Sequence, residues 1–172
     1  LAIATAKAQT TRHRIMGIAN GEDYQIVYSY TPGILKPSYR MQEAMMNFVS
    51  GALTDADILL YVTDTVESPE KNKEYLEKVN RLEIPVFLII NKVDLTTQEK
   101  LEQMVDQWKT RLPKARIFPV SAQEKFNLDV LFGLILENLP EGPEYFPKDQ
   151  ISDRNLRFFA GEIIREKIFL NY

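Results

Sequence analysis

The chain has 172 residues, of which 45% are hydrophobic and 26% are charged, and its formal net charge at pH 7 is -3. This balance predicts one globular domain rather than a disordered chain, and it argues against a strongly cationic nucleic-acid binder. The sequence contains no cysteine and one histidine, His13, which excludes disulfides and a cysteine nucleophile and gives little support to a histidine triad. Because no apolar run reaches the length of a membrane span and no signal-peptide pattern is present, we expect a soluble, intracellular protein.

Alternating and helical periodicities predict five strands and five helices along the chain. In chain order they are strand 13–19, strand 24–29, helix 38–53, strand 57–62, helix 68–82, strand 85–90, helix 97–112, strand 116–120, helix 128–139 and helix 153–172. Asn20-Gly21 is a hairpin signal between the first two strands, and Thr31-Pro32-Gly33 ends the second. Strands that alternate with helices predict a mainly parallel sheet, with ligands at the carboxyl ends of its strands.

Proline and glycine cluster between residues 140 and 147, which is typical of a linker. We therefore predict a globular domain over residues 1–139, a linker over 140–152, and the start of a helix leading to a further domain over 153–172. Basic residues of this helix could face RNA or a membrane. The favoured alternative is that they form the solvated side of a helix whose Phe and Ile residues pack on the domain.

The strongest motif is Asn91-Lys92-Val93-Asp94, directly after the apolar strand 85–90. The Asp94 carboxylate can accept two parallel hydrogen bonds from guanine, at its ring N–H and its exocyclic amine, and adenine offers no such pair of donors. Asn91 can join neighbouring loops, and the stem of Lys92 can cover one face of the base. The alternative is a capping loop with solvated charges, but the position after a buried strand favours a guanine site.

Ser121-Ala122 follows the strand 116–120. Small residues in this turn let backbone N–H groups approach the carbonyl oxygen of a base. A serine after a strand is more often a cap, so this pair carries weight only through its order along the chain. Asn-Lys-x-Asp followed one βα unit later by Val-Ser-Ala is the arrangement of a GTPase.

Two weaker motifs come earlier. In GTPases an Asp-x-x-Gly holds Mg²⁺ through its aspartate and meets the γ-phosphate through its glycine N–H. Here Thr31 and Gly33 fit that pattern, but Tyr30 stands at the aspartate position, and a neutral phenol is a poor ligand for Mg²⁺. Thr11, with Thr10 as the second choice, is the candidate for a switch threonine whose hydroxyl binds Mg²⁺. The alternatives are a plain turn and a polar loop.

Together these segments resemble the Era-like bacterial GTPases of the TrmE-Era-Der group. The segments are AKAQTTRHRIMGI (6–18), TPGI (31–34), NKVD (91–94), VSA (120–122) and the tail YFPKDQISDRNLRFFAGEIIREKI (145–168). The resemblance implies an α/β, P-loop NTPase (Ras-like) three-layer fold, bound GTP or GDP, and Mg²⁺. It implies nucleotide contacts from Asn91, Lys92, Asp94, Ser121, Ala122, Thr31 and Gly33, with Thr11 at the metal.

The same resemblance implies a biological role. Members of this group hydrolyse GTP to GDP and phosphate as a switch in small ribosomal subunit assembly. We therefore expect the small ribosomal subunit and its rRNA as partners, bound through a KH domain that is not in this sequence. We also expect a cytoplasmic protein, monomeric at full length, with peripheral association with the inner membrane. Ile34 stands where Ras-like proteins have a water-orienting glutamine, so hydrolysis is expected to be slow.

Departures from the family pattern keep other readings open. The sequence has no G-x-x-x-x-G-K-[ST] phosphate loop, and the strand before that loop is missing as well. A second hypothesis is therefore a non-hydrolysing guanine-nucleotide-binding fragment or interaction module, and a third is an unrelated α/β domain. Without a central strand the remaining strands would have open edges, which predicts self-association.

Overall fold

The computed structural model describes residue 11 and residues 13–34, 37–38, 40–67 and 72–171. Its elements in chain order are β1 (Ile15–Asn20), β2 (Gln25–Tyr30), α1 (Arg40–Asp55), β3 (Leu59–Asp64), α2 (Lys73–Asn80), β4 (Val86–Asn91), a 3₁₀ helix (Val93–Leu95), α3 (Gln98–Arg111), β5 (Arg116–Pro119), α4 (Leu128–Asn138) and α5 (Leu156–Asn171). The chain forms two compact units. We call them the hairpin unit (Leu1–Asp55 with Gly142–Tyr172) and the sheet unit (Ala56–Glu141).

The hairpin unit is built on β1 and β2, which pair antiparallel from Ile15 opposite Tyr30 to Asn20 opposite Gln25. The connecting turn begins at Gly21, whose N–H donates to the carbonyl oxygen of Tyr24 at 2.9 Å. A Cβ at Gly21 would lie 2.2 Å from the Tyr24 ring, so a larger residue here would displace that side chain. In α1 the buried side chains recur at helical spacing, at Gln42, Met45, Met46 and Val49.

A segment far along the chain lies beside this hairpin. The N–H of Ile18 donates to the carbonyl oxygen of Ile151 at 3.0 Å, and Ser152 Oγ donates to that of Met16 at 2.7 Å. The side chain of Gln25 accepts from the N–H groups of Tyr145 and Phe146 at 2.8 and 2.9 Å. Its amide also donates to the Phe146 carbonyl oxygen at 2.8 Å. These bonds cover part of the outer edge of β1.

The sheet unit holds three parallel strands in the order β3-β4-β5. β4 is the central strand, with a hydrogen-bonded neighbour on each side, and all five of its apolar residues are buried. On one face Tyr61 of β3 contacts Trp108 of α3, with ring centroids 5.7 Å apart. Asn80 Nδ2 donates to the carbonyl oxygen of Arg111 at 2.7 Å, which joins the ends of α2 and α3.

The predicted parallel sheet is confirmed, and each predicted strand and helix has a counterpart in the structure. Most bounds differ by one to three residues. The described part of α2 starts at Lys73, and the predicted helix start at Ser68 and Pro69 lies outside the described residues. The 3₁₀ helix after β4 was not predicted, since three residues are too short for a periodic signal.

The expectation that the isoleucines of α5 pack on the domain is wrong. Ile163, Ile164 and Ile168 are each more than half exposed. The half-buried face carries Phe158, Glu162, Arg165 and Phe169, in which the Arg165 guanidinium pairs with Glu162 and lies 5.5 Å from the Phe169 ring centroid. Because the helix half-buries the face with the Arg165–Glu162 pair, the three isoleucines lie on the exposed side of the helix. Within the described residues no helix is long and apolar enough to cross a membrane.

Candidate functional site

The Asn-Lys-Val-Asp segment turns sharply at the end of β4. Lys92 has a φ of 63° and a ψ of 35°, a left-handed conformation that few residues other than glycine adopt. The Asn91 side chain holds this turn, because its Oδ1 accepts from the N–H of Lys92 at 2.8 Å and from that of Ala122 at 3.0 Å. The N–H of Val93 also donates to the carbonyl oxygen of Val120, at 3.2 Å. Asn91 thus joins the two loops that follow β4 and β5.

Asp94 lies on the short 3₁₀ helix at the carboxyl edge of the sheet. Its side chain is exposed, and no described residue pairs with its carboxylate. The helix is fixed by bonds from the N–H of Leu95 to the Lys92 carbonyl oxygen at 3.0 Å and from that of Thr96 to Val93 at 3.3 Å. Asp94 is therefore an available acceptor on a fixed backbone.

The Ser121-Ala122 loop is a closed turn rather than a helix cap. Ser121 is 1% exposed, and its Oγ accepts from the N–H of Glu124 at 3.1 Å. Its backbone exchanges two hydrogen bonds with Phe126, at 2.9 and 3.3 Å. The N–H of Ala122, which the sequence predicts to approach a base, is bonded to Asn91. A base carbonyl oxygen would share this donor with Asn91.

Asp64, at the end of β3, is a site residue that the sequence reasoning missed. Its Oδ2 accepts from Lys92 Nζ at 2.7 Å, and its Oδ1 accepts from the N–H groups of Val66 and Glu67 at 3.0 Å each. The hydrogen bond from Lys92 is the main cause that lowers the pKa of Asp64 below its ordinary value. The predicted strand ends at Val62, two residues before Asp64. Its position after a buried parallel strand was the available signal.

Four predicted site residues lie in the hairpin unit. The register that pairs Ile15 with Tyr30 brings the start of β1 and the end of β2 to the same end of the hairpin. Thr11 is buried, Thr31 is half-buried and Gly33 is exposed. Tyr30 is 50% exposed. Thr10 lies outside the described residues.

The side chains at the predicted site residues fit a guanine base better than a hard cation such as Mg²⁺. The sheet unit presents the unpaired carboxylate of Asp94 beside an ordered loop. At the end of β2, Tyr30 offers a neutral phenol where Mg²⁺ would need a carboxylate, and the Thr11 hydroxyl is a single further ligand. The described residues contain no group of three His, Cys, Asp or Glu side chains that could hold a metal ion.

Comparison with known proteins places the chain in a family. The model of the Elongation factor Tu GTP binding domain matches residues 8–141. Two structures are each 35% identical to the chain with a TM-score of 0.88: Era in complex with MgGDPNP and a segment of 16S ribosomal RNA, and a variant of Aquifex aeolicus Era bound to GDP and AlF4-. In both cases the match covers 96% of this chain and 57% of the other, so the chain spans little more than half of those proteins.

A more distant structure supports the fold alone. Translation elongation factor SelB from Methanococcus maripaludis, in complex with a GTP analogue, matches at a TM-score of 0.63 and 22% identity, over 81% of this chain and 31% of SelB. The parallel sheet, the ordered Asn-Lys-Val-Asp and Ser-Ala loops, and the family match over residues 8–141 agree with one another. The chain belongs to the Elongation factor Tu GTP binding domain family, as an Era-like member.

Proposed function

We propose that this chain is the guanine-nucleotide-binding domain of an Era-like GTPase that binds GTP and GDP and hydrolyses GTP to GDP and phosphate. The observation that carries the proposal is the Asp94 carboxylate, which no described residue pairs with, on a loop that Asn91 joins to Ser121-Ala122. The Era relatives were solved with MgGDPNP and with GDP, which supports the same ligands here. At the position where the family holds Mg²⁺ with an aspartate, the chain offers Tyr30, a poor metal ligand.

Base selection follows from the hydrogen-bonding pattern. The two carboxylate oxygens of Asp94 would accept from the ring N–H and the exocyclic amine of guanine as a bidentate pair. The Ala122 N–H would meet the base carbonyl oxygen, and the Lys92 stem would cover a base face. Adenine presents an acceptor where guanine presents the ring N–H, so it would leave Asp94 facing a lone pair.

The partner proposal is the small ribosomal subunit and its rRNA, with the nucleotide cycle as a switch in subunit assembly. It is supported by the Era structure that contains 16S ribosomal RNA. The binding module would be a KH domain outside this sequence, preceded by the proposed nucleotide-binding domain at 1–139, linker at 140–152 and connecting helix at 153–172. A cytoplasmic location belongs to the same proposal. Peripheral association with the inner membrane stays a prediction.

A second candidate function is a guanine-nucleotide-binding module that does not hydrolyse GTP. Two observations favour it: the sequence has no G-x-x-x-x-G-K-[ST] phosphate loop, and Tyr30 is half exposed at the aspartate position. Turnover of GTP by the wild-type chain with Mg²⁺ separates the two, because the module should show no turnover above the uncatalysed background. A wild-type chain that already turns over GTP with Mg²⁺ would exclude this candidate.

The test of guanine binding is a titration of the 172-residue chain with fluorescent GDP, with GTP and ATP as competitors. We expect micromolar or tighter binding that GTP competes and ATP does not. Asp94→Asn should weaken GDP binding by about tenfold or more, since it removes a charge-assisted bidentate pair. It should improve binding of xanthosine diphosphate, whose C2 carbonyl oxygen can accept from the new amide.

Asp106→Asn is the matched control, because Asp106 is an exposed acid of α3 whose side-chain partner is Lys109. It should bind GDP as the wild type does. Equal competition by ATP and GTP, or an Asp94→Asn variant with unchanged GDP affinity, would contradict the proposed site.

A further inference from the structure

We propose that Asp64 is a positioning residue for guanine recognition, which holds the Lys92 side chain so that the Asn91–Asp94 loop is ordered before nucleotide binds. This inference rests on the proposed function where it concerns GDP affinity. Its effect on the order of the loop can be measured without nucleotide. The residues that carry it all belong to the sheet unit.

The two oxygens of Asp64 have different partners. Oδ1 accepts from the N–H groups of Val66 and Glu67, which fixes the turn that leaves β3. Oδ2 is engaged by Lys92 Nζ at 2.7 Å. One carboxylate therefore anchors its own loop through one oxygen and the neighbouring loop through the other.

The sheet brings these groups together. Asp64 lies opposite Asn91 in the parallel register of β3 and β4, so the residue after Asn91 emerges beside the Asp64 carboxylate. Thr65 adds a weak contact, since its Oγ1 lies 3.5 Å from the Lys92 carbonyl oxygen. The end of β3 thus contacts both the side chain and the backbone of Lys92.

Lys92 needs such support because of its backbone. A lysine at a φ of 63° is in a region that L-residues avoid, and surrounding contacts must hold it there. Asn91 and Val120 hold the backbone from the β5 side, and Asp64 is the ion-pair partner of the side chain. An anchored Nζ restricts the four-carbon stem, which then offers a fixed apolar surface to a base.

The alternative is that Asp64 only caps its own turn, and Asp64→Asn distinguishes the two roles. The asparagine amide oxygen can still accept from Val66 and Glu67, but the remaining NH₂ group cannot accept from Lys92. Asp64→Ala removes both functions. If Asp64 only caps its own turn, Asp64→Asn should behave as the wild type. If Asp64 positions Lys92, Asp64→Asn should make the Asn91–Asp94 loop less ordered.

The experiment compares the wild type, Asp64→Asn, Asp64→Ala and the control Asp106→Asn. In the nucleotide-free chain, amide hydrogen exchange at Lys92, Val93 and Ala122 should be faster in Asp64→Asn, with a melting temperature close to the wild type. The side chains of Asp64 and Lys92 are 28% and 52% exposed, so GDP affinity should fall by about two- to fivefold, the range of a partly exposed ion pair. Asp64→Ala should lose both affinity and melting temperature.

A Lys92→Met background supplies the second test. If Asp64 acts through Lys92, adding Asp64→Asn to Lys92→Met should leave GDP affinity unchanged. Wild-type exchange rates in Asp64→Asn, or an additive loss in the double variant, would overturn the inference. A wild-type chain that binds no GDP would instead overturn the proposed function, and the exchange comparison would still decide the role of Asp64.

Discussion

One amide oxygen organises the loops of the candidate site. Asn91 Oδ1 accepts two backbone N–H groups, one from its neighbour Lys92 and one from Ala122, 31 positions along the chain. A single oxygen with two lone pairs can serve both donors. The relative placement of the two loops after β4 and β5 therefore depends on this side chain as well as on the sheet.

Replacing Asn91 by alanine should loosen both loops. Lys92 and Ala122 are exposed, so water can replace the lost acceptor, and the free energy of unfolding should fall by only roughly 1 kcal/mol. Amide exchange at Ala122 should accelerate, measured by hydrogen exchange together with urea unfolding. Asn91→Asp retains an acceptor oxygen and should keep Ala122 protected. Unchanged protection of Ala122 in Asn91→Ala would contradict this role.

Tyr61 gives the sheet unit a pH dependence at alkaline pH. Burial, against a smaller opposing effect of the Asn72 side chain, raises the pKa of Tyr61 from 10.0 to about 12. Because the folded state keeps the phenol proton longer than the unfolded state, this contribution is fully present below pH 10 and is lost as pH rises to about 12. The free energy of unfolding should therefore fall more steeply above pH 10 in the wild type than in Tyr61→Phe. Urea unfolding at stepped alkaline pH measures this, and parallel curves would refute it.

At the scale of elements, the sequence predicted which segments form strands and helices, because apolar spacing marks them. The sequence did not predict the contacts that polar side chains make at the ends of the strands. Asp64 falls two residues beyond the predicted end of its strand, and its partner Lys92 is 28 positions away. Gln25 reads as one polar residue of an alternating strand, yet it binds a segment 120 residues later. Such long-range polar contacts leave no periodic signal.

Gln25 should be the main attachment of the segment that begins at Tyr145. Its side-chain oxygen accepts from two N–H groups, and its amide donates to the Phe146 carbonyl oxygen and to Asn20 Oδ1 at 2.8 Å each. Gln25→Ala should speed amide exchange at Tyr145 and Phe146 and cost about 1–2 kcal/mol of unfolding free energy.

Gln25→Glu is the informative companion, since a carboxylate still accepts from both N–H groups but cannot donate to Phe146. It should keep most of the protection at Tyr145 and lose part of the stability. If Gln25→Ala leaves exchange at Tyr145 and Phe146 unchanged, the segment is held by the Ile18 and Ser152 bonds instead.

At the scale of the molecule, the residues predicted to contact nucleotide are divided between the two compact units. The hairpin unit has Thr11, Thr31 and Gly33, and the sheet unit has the loops that are predicted to recognise the base. The family was recognisable from the sequence because its motifs are short, contiguous and placed after strands. The ordering of the loops that follow β3, β4 and β5 could not be predicted from the sequence, because it depends on hydrogen bonds that join residues from three strand ends.

The whole chain is expected to self-associate through open strand edges. Among the described strands, β3 is hydrogen-bonded to β4 alone and β2 to β1 alone, which leaves unpaired backbone groups along both. β3 also exposes an apolar side chain, since Val62 is 59% exposed. An unpaired edge with apolar side chains is a template for pairing with another chain, and a lysine there opposes such pairing.

Light scattering of the 172-residue chain after size-exclusion chromatography should therefore show an average mass that rises with concentration. Val62→Lys should shift the chain toward monomer. The matched control is Val130→Lys, which adds the same charge at a valine that is 56% exposed but lies on a helix, α4. If edge pairing causes the association, Val130→Lys should associate as the wild type does, whereas an effect of net charge would appear equally in both variants. A monodisperse wild-type monomer with a cooperative melt would refute edge pairing, and equal rescue by both lysines would assign the association to net charge.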